Sequence, residues 1–213
     1  MDADKVNVYQ SCDRAIKAMN RACVESFGRL KLARWDDVHI IREVTKVYRQ
    51  SEQQARRKYR DVAIDAYILG MLMCGVEEKE ARQLARKEIT LAWVDDMLER
   101  VDPVTQFRFD AETKRKAYRL AEQLEVTPEK SKAIEKALRD WSRQIGQYAI
   151  NITDYAIIRA FKDADVERVM WISVEDERRC VECKRRHRKI YQIDSIPPKP
   201  HWGCRCRIVP VIE

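Results

Sequence analysis

The sequence predicts a mainly α protein, an elongated bundle of about five helices that carries a small C-terminal β module. Three observations predict this. Glycine and proline are scarce, 5 and 6 among 213 residues, so few turns punctuate the chain. Charged residues reach 36% and hydrophobic residues 45%, a mixture suited to long helices with one solvated face. After about residue 165 the texture changes to β-branched and aromatic runs, prolines and cysteines. The expected division is a helical body at 1–165 and a module at 166–213.

The first helix is expected over 6–27, where Ala15, Met19, Cys23 and Phe27 fall four apart and Gly28 would end it. The second is expected over 33–74. It repeats Ile41, Tyr48, Ala55, Val62 and Leu69 every seven residues, and Gly75 would stop it. Its middle, RQSEQQARRKYRD, reads as solvated and suits a projecting rod. A third helix over 77–101 carries Leu84, Ile89, Trp93 and Leu98, and Asp102-Pro103 breaks it. A fourth spans 111–124. The fifth opens at Thr127-Pro128-Glu129, a capping residue, a proline suited to the first turn and an acid that complements the helix dipole. Ile134, Leu138, Trp141, Ile145, Tyr148, Ile152 and Tyr155 then alternate four and three apart, so this helix packs lengthwise on another. Gly146 inside it would mark a close helix approach. In the module, RVMWISV, KIYQI and CRIVPVI read as three short strands, with Pro197, Pro198 and Pro200 forcing an extended loop.

Several functional classes find no support. No apolar run reaches the ~20 residues that span a bilayer. MDADKVNVYQ lacks the basic start and apolar core of a signal peptide, so synthesis and retention in the cytosol are expected, where clustered cysteines bind metal more often than they form disulfides. There is no Walker A loop, no G-x-G-x-x-G and no G-x-S-x-G. A metal-dependent nuclease would have to draw on Asp176, Glu177, His187 and His201, a poor set with no adjacent histidine pair. No enzyme and no small-molecule substrate are expected.

The chemistry concentrates at the end of the chain. Cys180-Val181-Glu182-Cys183 is followed by His201-Trp202-Gly203-Cys204-Arg205-Cys206. A module of this size buries little surface and needs a staple. C-x-x-C lets two thiolates grip one ion from a tight turn, and H-x-x-C grips from a second loop. Two such grips make a tetrahedral structural zinc site, whose binding energy becomes folding energy. Five donors compete for four places. Cys180, Cys183 and Cys204 come first, and His201 and Cys206 contend for the fourth, since residues 204 and 206 of a strand face one side. A disulfide and unligated thiols are the alternatives. His187 reads as a solvated histidine, and Cys12, Cys23 and Cys74 as small core residues.

The net charge is +7, and it too gathers here. Ten Lys/Arg against two acids lie between Arg178 and Arg207. Arg178, Arg179, Lys184, Arg185, Arg186, Arg188, Lys189 and Arg205 form a candidate contact surface for phosphate backbones or an acidic protein.

The run Trp171, Asp176, Arg178, Cys180, Cys183, Tyr191, Pro198, His201, Cys204, Arg205 and Cys206 resembles the C-terminal domain of the phage head-morphogenesis proteins, the Mu F-like minor capsid family. RRHRKIY departs from the family's pattern, with no glycine where the family turns. The resemblance implies a minor structural protein of a tailed-phage head, in the virion at the portal vertex and in host cytoplasm during assembly. Its implied partners are portal and other capsid proteins, and its implied role touches DNA packaging or delivery, with double-stranded DNA a candidate partner. It implies no catalysis. Some relatives continue into a toxin domain, which is not expected here. The competing reading is a zinc-stapled nucleic-acid-binding regulator.

Overall fold

The computed structural model describes residues 8–32, 39–175 and 179–212, without the side chains of Lys31 and Leu32. Six helices form the body: α1 (Gln10–Leu32), α2 (Ile40–Met73), α3 (Glu78–Glu88), α4 (Leu91–Glu99), α5 (Phe109–Val126) and α6 (Lys130–Asp163). A short seventh, α7 (Val181–Arg186), lies among three strands, β1 (Arg168–Ile172), β2 (Ile190–Gln192) and β3 (Arg207–Pro210). No helix among the described residues is long and apolar enough to cross a membrane.

The body is built around α6. Along it, Trp141 packs edge-on to Tyr48 of α2, Tyr59 donates to the Ile145 carbonyl at 3.0 Å, and Gly70 faces Ile157 and Ala160. These pairs rise in the same order on both helices, so α2 and α6 run parallel. The neighbours of α1 fall in reverse order, Tyr9 beside Asp154 and Cys23 beside Trp141, so α1 is antiparallel to α6. So is α5, with Phe109 on Tyr148 and Lys116 at Asp140. At ~1.5 Å per residue, the two 34-residue helices α2 and α6 give the bundle its length. Phe27, Tyr48, Trp141, Phe109 and Tyr148 form a chain of ring contacts through its centre.

The heptad positions of α6 are all buried or half-buried, which is the lengthwise packing their spacing predicts. Gly75 does stop α2. With φ +85°, it donates to the Leu72 carbonyl while Val76 donates to Met71, both at 3.1 Å, which satisfies the last carbonyls of the helix.

Several expectations need correction. Gly28 lies inside α1, which continues to Leu32. The expected starts at Val6 and Ala33 fall outside the described residues. The middle of α2 is no projecting rod: Ser51, Ala55 and Tyr59 are buried every fourth residue, and Arg56 pairs with Glu52 and Asp95. The single helix expected at 77–101 is two. Ile89 turns inward, fully buried, and the Thr90 hydroxyl accepts the Trp93 N–H at 3.1 Å to start α4. Thr127 closes α5 and accepts from Glu129 at 3.2 Å, so α6 starts later, at Lys130. The close approach is at Gly70, where an added Cβ would sit 2.7 Å from the Ala160 Cβ; at Gly146 the nearest atom is 3.8 Å away.

The three expected strands are present as one antiparallel sheet in the order β2-β1-β3, with Val169 opposite Tyr191 and Trp171 opposite Ile208. Val169, Trp171, Ile208 and Cys183, Cys204 and Cys206 belong to the same buried cluster as the helical core.

Candidate metal centre

Each donor is positioned by a different local rule. Cys180 is the N-cap of α7, its sulfur accepting the Cys183 N–H at 3.3 Å. That short helix turns Cys183 inward, to 3% exposure. The proline loop then returns the chain so that His201 and Cys204 arrive opposite Cys183, and Cys206 follows one residue beyond the intervening Arg205.

Cys183 is the hub. Its sulfur lies 3.6 Å from Cys204 Sγ and 3.6 Å from His201 Nε2. Cys180, Cys183 and His201 form one group whose ligand atoms lie within 4.8 Å of one another; Cys183, Cys204 and Cys206 form a second. All five sequence candidates are therefore brought together, and the cluster could hold a metal ion. With Zn–S near 2.3 Å and Zn–N near 2.0–2.1 Å, tetrahedral geometry requires S···S of ~3.8 Å and S···N of ~3.6 Å. The two distances from Cys183, 3.6 Å each, fit such a site, while the five donors form two groups that share Cys183 and not one set of four. His201 Nδ1 lies 2.9 Å from the Trp202 carbonyl oxygen, so Nδ1 carries the proton and Nε2 presents a lone pair toward Cys183.

The thiols differ in acidity. Burial pushes Cys183 up to about 12. A hydrogen bond with Cys206 is the main cause raising Cys204, and the same contact holds Cys206 below its ordinary value. Burial raises Cys180, but hydrogen bonds from the backbone of Cys183 and Glu182 more than offset it, leaving the thiol below normal.

The basic run divides into internal ties and exposed charges. Arg179 bonds Ser173 and Glu175. Arg185 and Arg186 pair with Glu182, and Arg186 also reaches the Pro198 carbonyl and lies over Trp171. Arg205 pairs with Asp13 of α1 at 2.6 Å. Only Lys184, Arg188 and Lys189 are exposed without a carboxylate at ion-pair distance among the described residues. Arg178, and the nuclease candidates Asp176 and Glu177, lie outside the described residues. His187 is not a solvated residue: its Nδ1 accepts the Ser173 N–H at 3.2 Å, and its Nε2 lies 3.5 Å from Glu175.

Sequence reasoning missed the residues that dock the cluster on the helices. Lys199 is nearly buried, bonded to the Tyr9 hydroxyl at 2.8 Å and to the Cys206 carbonyl, and paired with Asp154 at 3.2 Å. Tyr9 in turn donates to Asp154 at 2.7 Å. Gln147 accepts the Gly203 N–H at 2.8 Å. The one available signal was Asp154, a charge inside an otherwise apolar stretch of α6.

The family described as Phage Mu protein F like protein matches residues 111–209, a span that begins in α5 and runs through α6 and all five donors to β3. No curated protein and no solved structure matches the chain.

Proposed function

We propose, from the match of residues 111–209 to the Mu F-like family, that this chain is a phage head-morphogenesis protein, a minor structural protein of a tailed-phage head. It acts at the portal vertex during procapsid assembly, with the portal and other capsid proteins as partners, and bears on DNA packaging or delivery. Its role is architectural and not catalytic. The observation that carries this reading is that the family span covers both the donor cluster and α6, which supplies Asp154 and Gln147 to dock it.

In this reading residues 166–213 are a module stapled by one structural zinc ion. Cys180, Cys183 and Cys204 hold the ion, and His201 takes the fourth place. The His201 ring is already oriented by its carbonyl partner, as metal-bound histidines are. Cys206 then serves as a buried neighbour of Cys204. Bound zinc would supply folding energy and no reaction chemistry. Cys206→Ser should therefore keep the ion, and His201→Ala should lose it or hold it weakly.

The exposed trio Lys184, Arg188 and Lys189 favours a second reading, a zinc-stapled nucleic-acid-binding regulator. Co-expression with portal and major capsid proteins separates the two. Sedimentation of the chain with procapsids supports the head role. Its absence from them, together with salt-sensitive DNA binding, supports the regulator.

A further inference from the structure

An open cleft of about 770 Å³ lies between α5, α6, α1 and the 202–205 loop of the module. Its size suits a small ligand, and no part of it belongs to the thiol cluster. Arg115 and Arg119 line it from α5 and Arg143 from α6. All three are exposed. Arg119 and Arg143 have no ion-pair or hydrogen-bond partner among the described residues, and Arg115 only lies over the Phe107 ring, 4.8 Å from its centroid.

Two further features point to a ligand. Trp202, 39% exposed, lines the cleft from the 202–205 loop and brings an aromatic ring to it. Glu112 also lines the cleft although it is only 3% exposed. Its Oε1 pairs with Lys116 at 3.3 Å, while its buried Oε2 has no partner. A buried carboxylate oxygen without a donor is costly, so this one calls for an N–H from whatever fills the cleft.

We propose that this cleft binds a nucleotide unit, with the phosphate on Arg119 and Arg143, the base against Trp202 and a base N–H directed to Glu112. Arginine forks match phosphate oxygens, and an aromatic face beside them is the usual platform for an unpaired base. A duplex presents no free base face, so the ligand is a single strand or a free nucleotide. An acidic protein segment would use the arginines, and its backbone N–H groups could reach Glu112, but it would bring no base to stack on the Trp202 ring. The site is separate from the exposed trio on the module and independent of the portal reading.

The test is fluorescence anisotropy of a labelled oligothymidylate, whose base carries one N–H, with the full chain. Arg119→Ala/Arg143→Ala and Trp202→Ala change exposed side chains, and circular dichroism checks that the helices persist. Each should weaken binding about tenfold or more, whereas Lys184→Ala/Arg188→Ala/Lys189→Ala should change it much less. Competition by thymidine monophosphate at similar concentration identifies a free nucleotide as the ligand; its failure to compete identifies a strand. Absence of binding, equal binding by the Arg119→Ala/Arg143→Ala variant, or a site filled by oligoglutamate and not by the oligonucleotide overturns the proposal. Procapsid association retained in that variant keeps the head role distinct from this one.

Discussion

The helical body and the C-terminal module solve the same problem with different means. The body buries large side chains in a continuous chain, Trp141, Tyr48, Tyr59, Phe109 and Phe161 among those with almost no exposure. The module buries one large aromatic, Trp171, with a few β-branched residues and three thiols. What it lacks in apolar area it supplies with polar ties: Arg186 across Trp171, Arg179 on Ser173, Lys199 on Asp154 and Arg205 on Asp13. Buried area dominates in the body, whereas the module's smaller share of the same buried cluster depends on a few specific atoms. The two should therefore fail differently.

The sharpest way to break that comparison is Cys183→Ser. Cys183 belongs to both donor groups, so its loss should abolish metal binding and open residues 166–213 to proteolysis while helical circular dichroism persists. Metal analysis with mapped cleavage checks this, and unchanged metal content would count against the hub. Trp141→Ala should act the other way. Removing a fully buried indole costs about 3–5 kcal/mol, which should lower the melting temperature by about 10 °C for a chain of this size and leave the bound metal in place.

Lys199→Met tests the tie between the two regions. It leaves Asp154 buried without its cation, at a cost of about 3 kcal/mol near neutral pH. Burial already raises the Asp154 carboxyl, against the lowering effects of Lys199 and Tyr9. Without Lys199 it rises further, so the penalty exists while the group is charged and fades as pH falls through its pKa. The difference in melting temperature between variant and parent should narrow in acid; a constant difference would show that the charge is not the cause.

The smallest effects compare two glycines. Gly70→Ala places a Cβ against the Ala160 Cβ and the Ile157 carbonyl, neither of which can swing away. Its overpacking cost of about 1–3 kcal/mol should outweigh a helix-propensity gain of up to about 1 kcal/mol. Gly146→Ala meets only ordinary contact and should be neutral or stabilising by up to that gain. Thermal melts of the pair should move in opposite directions.

This contrast also explains what could be read in advance. Periodicity reports burial, so the seam from Ile134 to Tyr155 in α6, the strand around Trp171 and the stop at Gly75 were legible. Ligand spacing reports chemistry, so Cys180, Cys183, His201, Cys204 and Cys206 were legible as candidate donors, and the structure sets them in two groups that meet at Cys183. The break at Ile89-Thr90 was hidden because Ile89 fits the apolar phase of an uninterrupted helix. The basic run misled because counting charges does not reveal which cations have partners: Arg179, Arg186 and Arg205 are occupied within the fold. The cleft was invisible because Arg115, Arg119, Arg143 and Trp202 come from three segments that only the packed structure brings together.

The staple itself is tested most directly by X-ray absorption at the zinc edge on the full chain, purified under reducing conditions with zinc supplied. The account predicts about one zinc per chain with a first shell dominated by sulfur near 2.3 Å and one nitrogen near 2.0–2.1 Å. A chain that binds no zinc under these conditions, or holds it through oxygen ligands alone, would contradict it.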